Sequence, residues 1–128
     1  MEFNNYLWHD SVIENIFIDR KNPGHQDEIS IELNMVDIGK VILKFEKVYW
    51  IKFDLNFGFI VSENIDEAYI TDQSDTDLVR IKESWSKMLQ VELDLRCFII
   101  KTNSTGGTIK IISTDFTIQA MSTKMKES

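Results

Sequence analysis

His9, Asp10 and Ser11 stand in a row and together hold the residue types of a hydrolytic triad. A triad is a spatial constellation, and the side chains of adjacent residues point in different directions. No Gly-x-Ser-x-Gly elbow accompanies them. The three read instead as a turn before a strand, with Asp10 or Ser11 bonding a backbone N–H and His9 bonding nearby. His9 and His25 are the only histidines, and Cys97 is the only cysteine. They cannot make a typical structural zinc site; a site from His9, Asp10 and His25 requires the first turns to converge. Counting Asp72 as position 1 puts Glu83 at position 12, as in a calcium loop. However, Asp77 falls where the sharp turn needs Gly, and Ser74 and Thr76 replace ligands. A helix cap explains Asp72, Asp75 and Asp77 more simply. The Gly-containing segments 21–24 and 102–107 lack the Gly-Lys-Ser/Thr ending of a phosphate loop. The expectation is therefore no catalytic residue, no metal and no cofactor.

Charge says more. From Phe53 to Val79 there is no Lys or Arg, while Asp54, Glu63, Asp66, Glu67, Asp72, Asp75 and Asp77 give seven acids. Outside that stretch 14 acids face 14 bases, so the whole formal charge of −7 sits in one segment. A nucleic-acid binder needs a basic footprint, and anionic lipid repels such a face. A single-sign patch instead steers an oppositely charged protein partner. Asp75 and Asp77 also suit a helix N-terminus, which leaves Glu63, Asp66, Glu67 and Asp72 as candidate partner-binding residues.

These residues must be held by something. The chain has 128 residues, 43% of them hydrophobic, which fits one domain spanning 1–128 with its own core. With one cysteine no intrachain disulfide can form. The N-terminus has no basic and apolar leader pattern, and no apolar run approaches the ~20 residues of a membrane helix. The expected location is the cytoplasm.

Period-two alternation marks the strands. Residues 12–19 are apolar and β-branched; Ile29, Ile31 and Leu33 alternate with polar neighbours; so do Val41, Leu43 and Phe45, then Ile51, Phe53, Leu55 and Phe57. A break is expected near Glu46-Lys47-Val48. Phe59-Ile60-Val61 reads as a short strand and Ile65, Ala68 and Tyr69 as a weak helical turn. Leu78, Ile81, Trp85, Met88 and Leu89 form one stripe at helical spacing, so 74–89 is a helix, with Ser74 as its cap. Residues 91–101 and 108–120 form a final hairpin around the 102–107 loop, with Asp115 at a bend and a frayed tail from 121. Cys97 reads as a small core residue; Trp50 is a contact candidate if its register exposes it. The fold class is α+β: a mainly antiparallel sheet of about six strands, curled or partly closed, with one amphipathic helix packed on it.

Trp8-His9-Asp10-Ser11 stands ahead of the first strand, Asn22-Pro23-Gly24 ahead of the second, Asn56-Phe57-Gly58 after the fourth, and the 102–107 loop is followed by Thr108-Ile109-Lys110-Ile111. In this the chain resembles a group of small bacterial proteins, some of which look like immunity proteins from polymorphic-toxin loci. The resemblance covers most of the chain and rests on turn and strand signals. It implies a non-enzymatic inhibitor that blocks a toxin by binding, and it assigns no residue a role. The acidic segment suits a basic toxin. The alternative is an assembly module that homodimerises through a sheet edge or an aromatic face.

Overall fold

A computed structural model describes residues 2–24 and 27–121. His25 and the tail residues 122–128 lie outside the described residues. Among the described residues six strands form one antiparallel sheet: β1 (Val12–Asp19), β2 (Glu28–Met35), β3 (Gly39–Asp54), β4 (Glu63–Ile70), β5 (Arg96–Thr102) and β6 (Thr108–Ala120). One α-helix, α1 (Thr76–Leu89), joins β4 to β5, and a 3-10 turn spans Phe3–Asn5. The expected α+β class, curled sheet and single amphipathic helix are all present.

The strands run in the order β1-β2-β3-β6-β5-β4 and then return to β1, making a ring. The seam is short. β1 meets β4 only through Val12↔Asn64 and Ile13↔Glu63, whereas β3 and β6 pair from Val41↔Ala120 to Asp54↔Thr108. The ring is cinched at one point and splayed beyond it.

Alternation assigns the two faces. Ile29, Ile31 and Leu33 of β2, Val41, Leu43 and Phe45 of β3, Phe98 and Ile100 of β5, and Ile109 and Ile111 of β6 fill the interior. Phe3 enters from the N-terminal turn and is fully buried. Its ring lies 4.6 Å from Trp8, and 5.0 Å from both Phe98 and Phe116. Trp8 Nε1 donates to the Phe3 carbonyl at 2.7 Å, so the plug locks itself.

A second apolar cluster lies outside the ring. Leu78, Ile81 and Trp85 of α1 cover Cys97, Ile99 and Ile112, with Tyr49 and Trp50 at the margin. Cys97 is buried there as expected, and burial pushes its thiol up to about 11. Met88 and Leu89 of the expected stripe are exposed. Among the described residues no helix is long and apolar enough to cross a membrane.

Four local expectations are corrected. β3 does not break at Glu46-Lys47-Val48. Lys47 takes φ +51°, the register slips by one residue between Val48 and Trp50, and the strand bends but continues. Asp115 pairs with Glu46 opposite this bend. β3 ends at Asp54, so Phe57 and Phe59-Ile60-Val61 lie in an exposed loop. Ile65, Ala68 and Tyr69 belong to β4, which has its own bulge between Ile65 and Glu67. A bulge adds one residue between two inward positions, so strand residues three apart imitate helical spacing. Finally, β5 starts at Arg96, not Val91.

The helix cap sits one residue later than expected. Asp75, not Ser74, accepts from the Leu78 N–H at 3.1 Å. Ser74 instead donates its N–H (2.8 Å) and its hydroxyl to Asp72.

Candidate protein-binding face

The bulge in β4 decides which carboxylates face outward together. Ile65 and Ala68 are buried; between them Asp66 and Glu67 are both exposed. Alternation alone would have sent one of the two inward. The N-terminal turn is fastened to the same point. Asp10 N–H donates to Ile65 O at 2.9 Å, and Ile65 N–H to Ser11 O at 2.8 Å. Asp10 takes φ +67°, a left-handed conformation that Asp tolerates.

This clamp lays His9 beside Asp66. His9 Nδ1 is 2.9 Å from the Asp66 carbonyl oxygen, an acceptor, so Nδ1 carries a proton and donates it. Nε2 lies 3.6 Å from Asp10 Oδ1, and Nδ1 lies 3.8 Å from Asp66 Oδ1. The carbonyl bond, then the Asp10 charge, raise the imidazole above its usual 6.5. Ser11 faces the other way: it is fully buried, and its Oγ donates to Leu7 O at 3.4 Å. Ser11 therefore does not turn its hydroxyl toward His9.

His9, Asp10, Asp66 and Glu67 border a shallow hollow of about 420 Å³ with Tyr6 and Ala68 in its lining. Exposed Leu7 and Val36 rise from its rim. Exposed apolar side chains bordered by charged ones match the make-up of a protein-binding surface, whose apolar contacts are ringed by polar groups.

The four candidate residues are not one site. Glu63 and Asp72 flank opposite ends of β4, about 20 Å or more apart at roughly 3.3 Å per residue. Glu63 is half-buried and accepts from Thr105 Oγ1 at 2.7 Å. Asp72 is held in its turn by Ser74, whose hydroxyl and N–H pull its carboxyl below the usual 3.8. Only Asp66 and Glu67 are brought together, and Asp10 joins them. Asp10 lies outside the base-free stretch, and no local pattern signals that it comes alongside β4.

The base-free stretch gains cations through the fold. Lys101 of β5 stands 3.8 Å from Glu67. Lys110 of β6 reaches Asp75 at 2.9 Å and Asp77 at 2.8 Å, largely buried. Asp75 and Asp77 thus serve the helix–sheet contact, and an ammonium fills the place a calcium reading would give to a metal. Among the described residues no group of three or more His, Cys, Asp or Glu is arranged to hold a metal ion. Trp50 is half-buried with the Arg80 guanidinium 5.6 Å above its ring, which removes it from the exposed surface. No family model matches the chain, and no curated protein matches it significantly.

Proposed function

We propose that the protein is a non-enzymatic binding module that docks a basic protein partner on the Asp10–Asp66–Glu67 face, as an immunity-type inhibitor does its toxin. One observation carries the reading: the β4 bulge turns two consecutive carboxylates outward beside exposed Leu7 and Val36. Acids of one sign speed encounter with a basic partner, and the apolar rim supplies contact area once docked. The buried, unpaired Cys97 agrees with a cytoplasmic setting.

The test pairs the chain with the product of the adjacent gene. The native chain is expected to bind it and to relieve its toxicity. The triple substitution Asp10→Asn, Asp66→Asn and Glu67→Gln is expected to slow association on the order of tenfold or more at low salt, the size of an electrostatic steering effect. An unchanged association rate would reject this face as the docking site.

A further inference from the structure

The short seam leaves a free sheet edge. β1 pairs with β2 along its whole length, but its other side meets β4 only at Val12 and Ile13. From Asn15 to Asp19 no backbone hydrogen bond ties that outer side to a described residue. Such an edge is normally blunted by Pro, by Lys or by an inward charge. Here residues 15–19 read Asn-Ile-Phe-Ile-Asp, and Phe17 and Ile18 remain 54% and 51% exposed. The bulge between Ile13 and Asn15 disturbs only the beginning of the edge.

A groove of about 290 Å³ runs beside it. Ile13, Ile16, Leu55 and Phe57 give it apolar walls, and Glu14 and Glu63 give it an acidic end, with Glu14 also 3.6 Å from Lys40. Phe57 is 83% exposed, so most of its ring is uncovered by the described residues. The edge offers hydrogen bonds, the walls offer apolar area, and the end offers negative charge. These are the requirements for accepting an added strand.

We propose that the added strand is β1 of a second copy of this chain, laid antiparallel about a two-fold axis at Phe17. The sequence of the edge is complementary to itself in that register. Phe17 meets Phe17, Ile16 meets Ile18 of the second copy, and Asn15 meets Asp19. Glu14 then faces Arg20, and the new pairing ends there, because Ile13 already pairs with Glu63 of β4. The basic turn of each copy thus lands on the acidic end of the other's groove. Asp27 takes the Nε–H of Arg20 at 2.8 Å, and four further guanidinium N–H donors remain for a second carboxylate. No like charges oppose each other at any of these positions. An isologous contact of this kind makes every complementary pair occur twice and removes both open edges at once. This site is independent of the Asp10–Asp66–Glu67 face.

Sedimentation or light scattering from about 1 µM to 1 mM, the range of weak to moderate self-association, is expected to show a species of twice 15.0 kDa. Phe17→Lys, at an exposed position, is expected to return it to monomer with an unchanged circular dichroism spectrum. Glu14→Arg and Arg20→Glu, each placing two like-charge pairs in the contact, are expected to weaken the dimer by tenfold or more. The double variant Glu14→Arg/Arg20→Glu is expected to recover part of the lost affinity, because it restores the opposite-charge pairs between copies while the pairs with Lys40 and Asp27 within each copy stay broken. A monomer throughout the range overturns the proposal. So does a dimer indifferent to Phe17→Lys, or a double variant no stronger than either single one. Asp66→Asn/Glu67→Gln should leave the dimer unaltered, so failure here and failure of the acidic-face reading are separable.

Discussion

At the scale of single residues, His9 is a titrating group set among carboxylates. Its imidazolium is favoured by the Asp66 carbonyl, then by Asp10, with its burial opposing. The folded value lies above 6.5, so this contribution to stability is complete below 6.5 and fades as pH rises through the folded value. An NMR titration is expected to place His9 above 6.5, and Asp10→Asn to lower it part of the way, since the carbonyl bond survives. Protonation also cancels part of the negative charge of the face, so association with a basic partner is expected to slow as pH falls through the same value. Identical pH profiles for the native chain and His9→Gln would contradict this. The acids Asp66 and Glu67 are visible in the sequence as charges. That both face outward is not, because it depends on a bulge set by pairing with β5. Asp10 is further from view: it enters the face through its own bond, and that of Ser11, to Ile65, a residue 55 positions along the chain from Asp10. Glu63 and Asp72 looked equivalent to the other two only because linear charge counts carry no geometry.

At the scale of elements, the clasp at the start of α1 joins helix to sheet. Lys110 loses solvation by burial, yet Asp77 and Asp75 more than offset this and hold its ammonium above 10.5. The hydrogen bond from Lys110 in turn holds the Asp77 carboxyl below 3.8. Stability from the clasp is therefore present across the neutral range. It is lost in acid as pH falls through the folded Asp77 value, and in base as pH rises through the folded Lys110 value. Lys110→Met is expected to lower stability by about 1–3 kcal/mol, the size of a lost charge-assisted pair with its carboxylates stranded; urea unfolding at pH 7 measures it. The 102–107 loop admits a second element-scale test. A Cβ on Gly107 would lie 2.9 Å from Leu55 Cδ2 and 3.0 Å from both Asp54 O and Thr102 Oγ1. Gly107→Ala is expected to destabilise by about 1–3 kcal/mol through overpacking, read as a lower Tm. The strands with clean alternation, β2 and the first half of β3, were legible in the sequence because one face is buried and the other wet. Two of the bulged strands, β3 and β4, mislead for the opposite reason: Lys47 looks like a break, and the inserted residue in β4 looks like helix. A bulge is chosen by the partner strand, which period-two counting within one segment does not contain.

At the scale of the whole molecule, the ring depends on its plug. Phe3 is fully buried among Trp8, Phe45, Phe98 and Phe116, which come from the N-terminal turn, β3, β5 and β6. Phe3→Ala is expected to cost about 3–5 kcal/mol, the range for emptying a large core aromatic site. Near-native stability by thermal or urea unfolding would show that the interior closes without it. The curled sheet was readable from composition and alternation, but the plug was not. Met1 to Asn5 carries no periodicity, and a lone Phe there gives no sign of lying at the centre.

The long β3–β6 pairing has a consequence for synthesis. β3 ends at Asp54, and its partner is complete only at Ala120. A chain growing from its N-terminus therefore carries the β1–β2–β3 meander, with Ile31, Leu43 and Phe45 uncovered, while some 66 further residues are made. Loop-closure entropy must be met before that pairing returns any stabilisation. The ring thus assembles late, after residue 120 has cleared the ribosome. Nascent chains stopped at residue 107 are expected to be cut rapidly by protease at sites that the full chain shields; equal resistance would mean that the meander holds a structure of its own.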